Sequence, residues 1–183
     1  MTSDVAVIGA GPAGAAISAI LSQNGFSVTV IEKNLFPRFS IGESLLPQCM
    51  EFLEEAGLLS AVNPDLFQIK KGALFARGDQ KSKIDFSEKF TSGPSETWQV
   101  TRADFDQSLI NKSIEYGTAV IFNAEVKEVN FNPNSVQVSF LADGIEKKIE
   151  TKCLVDASGG AMVLPRLLNS VSKPKLSKVS LFH

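Results

Sequence analysis

"VAVIGAGPAGAAISAILSQNGFSVTVIE", residues 5–32, decides the fold. Its leading run "DVAVIG" (4–9) is β-branched, apolar and ended by glycine, the pattern of a short buried strand. "GAGPAG" follows, Ala15 to Gln23 read as a helix, and Asn24-Gly25 stops it. "FSVTVIE" is a second β-branched strand. Strand, glycine turn, helix and strand make one βαβ unit, with parallel strands and a right-handed crossover expected.

The glycines divide the work. Gly9 allows the tight turn, Gly11 lets the backbone approach a pyrophosphate, and Gly14 lets the helix pack close to the strand. The helix start offers free N–H groups and a positive dipole end to phosphates. Pro12 costs little there, because a first-turn residue needs no intrahelical N–H bond; Pro12 and Ala13 complete the contacts expected of the turn. Glu32 ends the second strand, about 20 residues past the glycines, where a carboxylate can accept both hydroxyls of an adenosine ribose. It would repel a 2′-phosphate, which argues against NADP. Lys33 follows it at the same site. This motif by itself does not separate FAD from NAD.

The rest of the chain favours FAD, because an NAD domain would continue in regular βα units. Instead Lys33 opens a loop that leads to "ESLLPQCMEFLEEAG" (43–57), read as a helix. Ser44 is its expected N-cap, Pro47 falls in the first turn, and Gly57 is the C-cap. Leu45, Leu46, Cys49, Met50 and Leu53 share one face. Residues 63–95 are polar and mixed, with strand-like "GALFARG" and "KIDFSE". "VTRADFDQSLINKSIEYG" (100–117) reads as a helix that Thr101 and Asp104 open as a capping box and Gly117 ends. "TAVIF" is a strand; "AEVKEVNF", "SVQVSFL" and "KKIETK" alternate as an antiparallel meander. "CLVDASGG" is one more buried strand, running into a glycine pair.

Composition bounds the function. The chain has 183 residues, 44% hydrophobic and 21% charged, which suits one globular domain. A net charge of -2 gives no broad nucleic-acid surface. Cys49 and Cys153 form no metal-binding or disulfide pattern, so no metal is expected and a reducing cytoplasm is. The apolar run from Val5 to Leu21 is expected to be neither a signal peptide nor a membrane span: no basic residue precedes it, and three Gly and a Pro interrupt it. His183 is the only histidine and the last residue, so no internal imidazole base is available.

Four segments now carry a family resemblance: "VIGAGPAG…VIE", "FPRFSIGESLLP" (36–47), "VTRADFDQSL" (100–109) and "LVDASGG" (154–160). In order and spacing the chain resembles the FAD-binding half of flavoprotein oxidoreductases related to p-hydroxybenzoate hydroxylase. Within these it is most similar to the flavin-dependent halogenase and geranylgeranyl-reductase branch. The implied fold is α/β and Rossmann-like: a parallel sheet with an antiparallel meander, cut before the substrate domain. Residues 1–183 would form an incomplete FAD-binding domain, with 63–100 inserted as the start of the substrate-binding region.

The resemblance implies FAD, with Gly9, Gly11 and Gly14 facing the pyrophosphate and Glu32 holding the adenosine ribose. Arg38 would reach the phosphates or ribityl, and Arg102 would lie near the cofactor. Gly42 to Ser44 would set a helix N-terminus beside it. Asp156 to Gly159 would form a second loop on the dinucleotide, with Ala157 and Gly159 small for close approach. Lys70, five before Phe75 in "IKKGALF", matches the lysine that carries the activated halogen in the halogenases. The later Gly-Asp segment and the Trp-x-Trp-x-Ile-Pro element of these families are absent, which implies a fragment of a longer flavoprotein ending at "KVSLFH". A small-molecule substrate, aromatic or isoprenoid, is implied, with electrons from NAD(P)H or a partner flavin reductase. Monooxygenase, halogenase and reductase chemistry stay open, as do a non-catalytic fragment that needs a second chain and an NAD-binding dehydrogenase domain.

Overall fold

A computed structural model describes residues 1–170; His183 and the closing "KVSLFH" run lie outside the described residues. Strand β1 (Thr2–Ile8) leads into helix α1 (Pro12–Gln23) and strand β2 (Val28–Ile31). Helix α2 (Gln48–Glu55) follows, then β3 (Gln68–Lys70), β4 (Gly72–Arg77), β5 (Gln80–Asp85) and β6 (Thr97–Gln99). Helix α3 (Arg102–Glu115) precedes β7 (Ala119–Ile121), β8 (Ala124–Phe131), β9 (Val136–Ala142) and β10 (Ile145–Asp156), and α4 (Val163–Leu167) closes the described chain.

The main sheet runs β7-β2-β1-β10-β9-β8. Its first four strands are parallel, and β9 and β8 add an antiparallel edge. Val5 to Ile8 and all of β2 are buried, as central parallel strands covered on both faces must be. On one face α1 packs through Gly14, Ala15, Ser18 and Ala19, small residues that let the helix approach closely. Helix α3 packs against α1 and buries Phe105, Leu109 and Ile110. A second core joins Val138, Phe140 and Ile149 of the meander to Ile8 and Ile31, with α4 against it. Hairpin β4–β5 and the pair β3–β6 form two small sheets apart from the main one. Among the described residues no helix is long and apolar enough to cross a membrane.

The α/β architecture expected from the sequence is present, and three local readings need correction. The helix expected from Glu43 starts only at Gln48. Residues 43–45 are extended: Ser44 bridges Gln99, Val100 N–H donates to the Glu43 carbonyl at 2.8 Å, and Leu45 N–H donates to the Trp98 carbonyl at 3.2 Å. Pro47 is the physical reason, because it drives the preceding residue out of helical geometry. Ser44 is therefore no N-cap, and Leu46 is exposed rather than on a buried face. Thr101 does occupy the N-cap of α3, but its side chain makes no capping hydrogen bond, so the capping box is not formed. "KKIETK" and "CLVDASGG" are one strand, β10, which pairs antiparallel with β9 over 145–151 and parallel with β1 over 150–156.

Candidate functional site

Three strands, β1, β2 and β10, end at one cleft of about 720 Å³. Ligands of open α/β sheets bind outside such carboxyl ends. The Gly9–Ala13 turn, Glu32 and Lys33, the loop from Arg38 to Ile41, Arg102, and residues 157–161 line it.

The glycine turn is built by close approach. Gly9 sits at φ +97°, and a Cβ there would stand 2.8 Å from the Ala157 carbonyl oxygen. A Cβ on Gly14 would overlap the Gly9 carbonyl oxygen. Gly14 is thus buried packing between α1 and the turn, the close-packing role read for it from the sequence, and it does not itself line the cleft. Gly11 has ordinary φ, and its Cβ position points at the arginines: 3.5 Å from Arg38 and 3.9 Å from a terminal nitrogen of Arg102. Pro12 and Ala13 begin α1 at the cleft wall. The first N–H groups of that helix have no intrahelical partner and are available to an anion.

Glu32 is buried at the end of β2. One carboxylate oxygen accepts the Ala10 N–H at 2.7 Å and the other the Asn34 N–H at 2.9 Å. Each oxygen keeps a second lone pair for a further hydrogen-bond donor. Lys33 is exposed on the rim and pairs with Glu125 at 3.1 Å.

Arg38 and Arg102 are mostly buried, not solvated loop and first-turn charges. Both converge on Asp106, which is fully buried on α3. Arg102 donates to its two oxygens at 2.7 and 2.9 Å, a bidentate fork, and to the Ile41 carbonyl at 2.9 Å. Arg38 lies 3.3 Å from Asp106 and 3.8 Å from Glu32, with its guanidinium 4.7 Å above the Phe36 ring. Its Nε is buried and donates no hydrogen bond among the described residues. Gly42, at φ +108°, backs this fork: a Cβ there would stand 3.0 Å from Arg102. An orphaned buried donor, a glycine open toward two guanidiniums, a free helix start and a carboxylate with spare lone pairs fit a pyrophosphate joined to a ribose.

Other expected residues stand elsewhere. Ala157 and Gly159 line the cleft. Asp156 does not: its carboxylate accepts the Ser158 N–H at 2.9 Å and the Leu164 N–H at 2.8 Å, and so holds the turn into α4. Ser44 sits in the extended pairing described above, outside the lining. Lys70, on β3, also lies off the cleft; its Nζ donates to the Leu45 carbonyl at 3.0 Å and sits 5.1 Å from the Phe86 ring centre. Lys71 is exposed beside Glu96.

Two residues escaped the sequence reading. Arg166 lines the cleft from α4, and no local signal marks it. Asp106 had a signal: it shares the buried face of α3 with Phe105, Leu109 and Ile110, and it stands four residues after Arg102.

Residues 2–167 match the family model of the FAD binding domain. The flavin-dependent halogenase armH3 of Armillaria mellea is 33% identical over 190 residues, spanning 100% of this chain and 38% of that protein. A flavoprotein/dehydrogenase structure from Cytophaga hutchinsonii superposes with a TM-score of 0.88 at 41% identity, over 92% of this chain and 42% of that one. The flavin-dependent halogenase CmlS superposes with a TM-score of 0.84 at 30% identity, over 92% and 31%. The chain therefore spans less than half the length of these relatives.

Proposed function

The chain belongs to the FAD binding domain family, and we propose that it is the cofactor-holding part of a flavoprotein oxidoreductase of the flavin-dependent halogenase type. The observation that carries this reading is the buried pair Arg38–Arg102 beside Gly11, at the start of α1. FAD bound there would supply the redox chemistry, and the protein supplies position and electrostatics.

In this reading Glu32 accepts the ribose hydroxyls and repels a 2′-phosphate. Gly11, Pro12 and Ala13 admit the pyrophosphate to the helix start, and Arg38 and Arg102 meet its charge. Gly9 lets the turn close against residue 157, and Ala157 and Gly159 leave room for the cofactor. Lys33 screens the rim. Gly42 leaves space for Arg102, and the extended Ser44 ties that loop to Gln99, which keeps the arginine's backbone acceptor, the Ile41 carbonyl, in place. Asp156 serves the site indirectly, by fixing the turn that carries Ser158 and Gly159.

Lys70 is the residue on which halogenation depends. Its bond to the Leu45 carbonyl, next to the Gly42–Ser44 triplet, supports a placed ammonium rather than a solvated one. The substrate would be a small molecule, aromatic in the halogenase case, with reduced flavin delivered by a partner reductase. Residues 63–100 would open the region that receives it. A cytoplasmic setting accords with two unpaired cysteines.

The test is chloride- and bromide-dependent turnover of aromatic substrates by the protein with its full coding sequence, supplied with reduced flavin. Lys70→Ala should abolish halogenated product and leave flavin binding unchanged. The name of the Cytophaga hutchinsonii neighbour supports a second reading, a dehydrogenase. Halide-independent substrate oxidation that survives Lys70→Ala would establish it instead.

A further inference from the structure

We propose that Asp106 is a positioning residue for the cofactor: it holds the guanidiniums of Arg38 and Arg102 as a preformed fork beside Gly11. This rests on the FAD reading above. Asp106 is fully buried on the face of α3 that otherwise carries Phe105, Leu109 and Ile110. A carboxylate there is costly to desolvate, and an apolar side chain in place of a buried ion cluster often does as well or better for stability alone. Its geometry points to a different use. One oxygen takes Arg102 Nε at 2.7 Å; the other takes an Arg102 terminal nitrogen at 2.9 Å and faces one of Arg38 at 3.3 Å. Two cations from distant segments, a loop and a helix start, are thereby brought within 4 Å of one point, the Cβ position of Gly11. The Ile41 carbonyl and the Phe36 ring hold the outer sides of the same two guanidiniums.

Charge and orientation make opposite demands here. Glu32 and Asp106 balance Arg38 and Arg102, so the cluster is neutral before an anion arrives. On charge alone, removing the Asp106 carboxylate would leave a net cation and tighten the hold on a pyrophosphate. On orientation, it would loosen both guanidiniums, leaving Arg102 with the Ile41 carbonyl and Arg38 with the Phe36 ring, and the ligand would have to complete their ordering. We expect orientation to win, because Arg102 is fixed by a two-bond fork and Arg38 by stacking and a single shared oxygen.

The experiment measures FAD and ADP affinity of the 183-residue chain by flavin fluorescence and calorimetry. Wild type, Asp106→Asn, Arg38→Gln/Arg102→Gln and the triple variant are compared. Asp106→Asn should weaken both ligands about tenfold, the scale of one charge-assisted bond. In the Arg38→Gln/Arg102→Gln background the same change should leave affinity unmoved, since no guanidinium remains to be placed. Equal or tighter binding by Asp106→Asn, or the same loss in both backgrounds, overturns the proposal. If Asp106→Asn alone does not fold, Asp106→Glu replaces it: the charge stays and the carboxylate moves by one methylene. Weaker binding then supports positioning, and unchanged binding overturns it. A wild type that binds neither FAD nor ADP removes the cofactor reading and this one together. A binding wild type with an indifferent Asp106→Asn removes only this one.

Discussion

Gly11 and Gly14 stand three residues apart and answer to different forces. Gly14 has no room for a methyl group, because its Cβ position falls on the Gly9 carbonyl oxygen. Gly14→Ala must therefore push α1 off the turn and should cost about 3 kcal/mol of stability, at the upper end of overpacking effects. Thermal unfolding of the variant measures it. Gly11 has a normal φ and van der Waals room before Arg38. Gly11→Ala should leave the melting temperature within a few degrees of wild type and weaken FAD binding, because the methyl group occupies the line between helix start and arginines. A Gly11→Ala protein that keeps its FAD affinity would detach this glycine from the site.

Two elements carry ties whose loss is measurable. Phe105 on α3 is fully buried and meets Phe67 edge-on at 6.2 Å between centroids. Phe105→Ala should cost about 3–5 kcal/mol, by lost transfer energy and the cavity left behind, as read by denaturant unfolding. Strand β1 is tied near its start: the Asp4 carboxylate accepts from Lys152 at 2.8 Å and from the Ser27 hydroxyl at 2.7 Å. Lys152 first, then Ser27, holds that carboxyl well below the usual aspartate range. The group is depressed in the folded state, so its contribution is whole above the ordinary aspartate value of about 3.9 and fades as pH falls through the folded value. The Asp4 carboxyl carbon should therefore show no titration in NMR spectra until well below pH 4. An Asp4 midpoint at the ordinary value would mean that the tie is not made in solution.

Over the whole molecule, the proposed reading places ribose and pyrophosphate in the cleft at the ends of β1, β2 and β10. ADP should then compete with FAD for this chain at comparable affinity, and riboflavin should not displace either, which competition calorimetry would show. The βαβ unit, the glycine turn, Glu32 and the parallel-plus-meander architecture are legible in the residues alone, because each depends on contacts within one short segment or on simple alternation. The late start of α2 was also legible in principle, since Pro47 acts on its own neighbour. Other features needed partners remote in sequence. β10 reads as two strands because its flanks change from β9 to β1, and only the assembled sheet joins them. Asp156 carries the residue type of a ligand contact, yet local backbone donors claim it. Arg38 and Arg102 could each pass for solvated charges until folding buries Asp106 between them. The sequence by itself determined that a dinucleotide-binding α/β unit forms, since local sterics and hydrophobic period suffice for that. Only the tertiary structure decided which charges face one another, because a buried ion cluster gains its energy from groups that meet when the chain has closed.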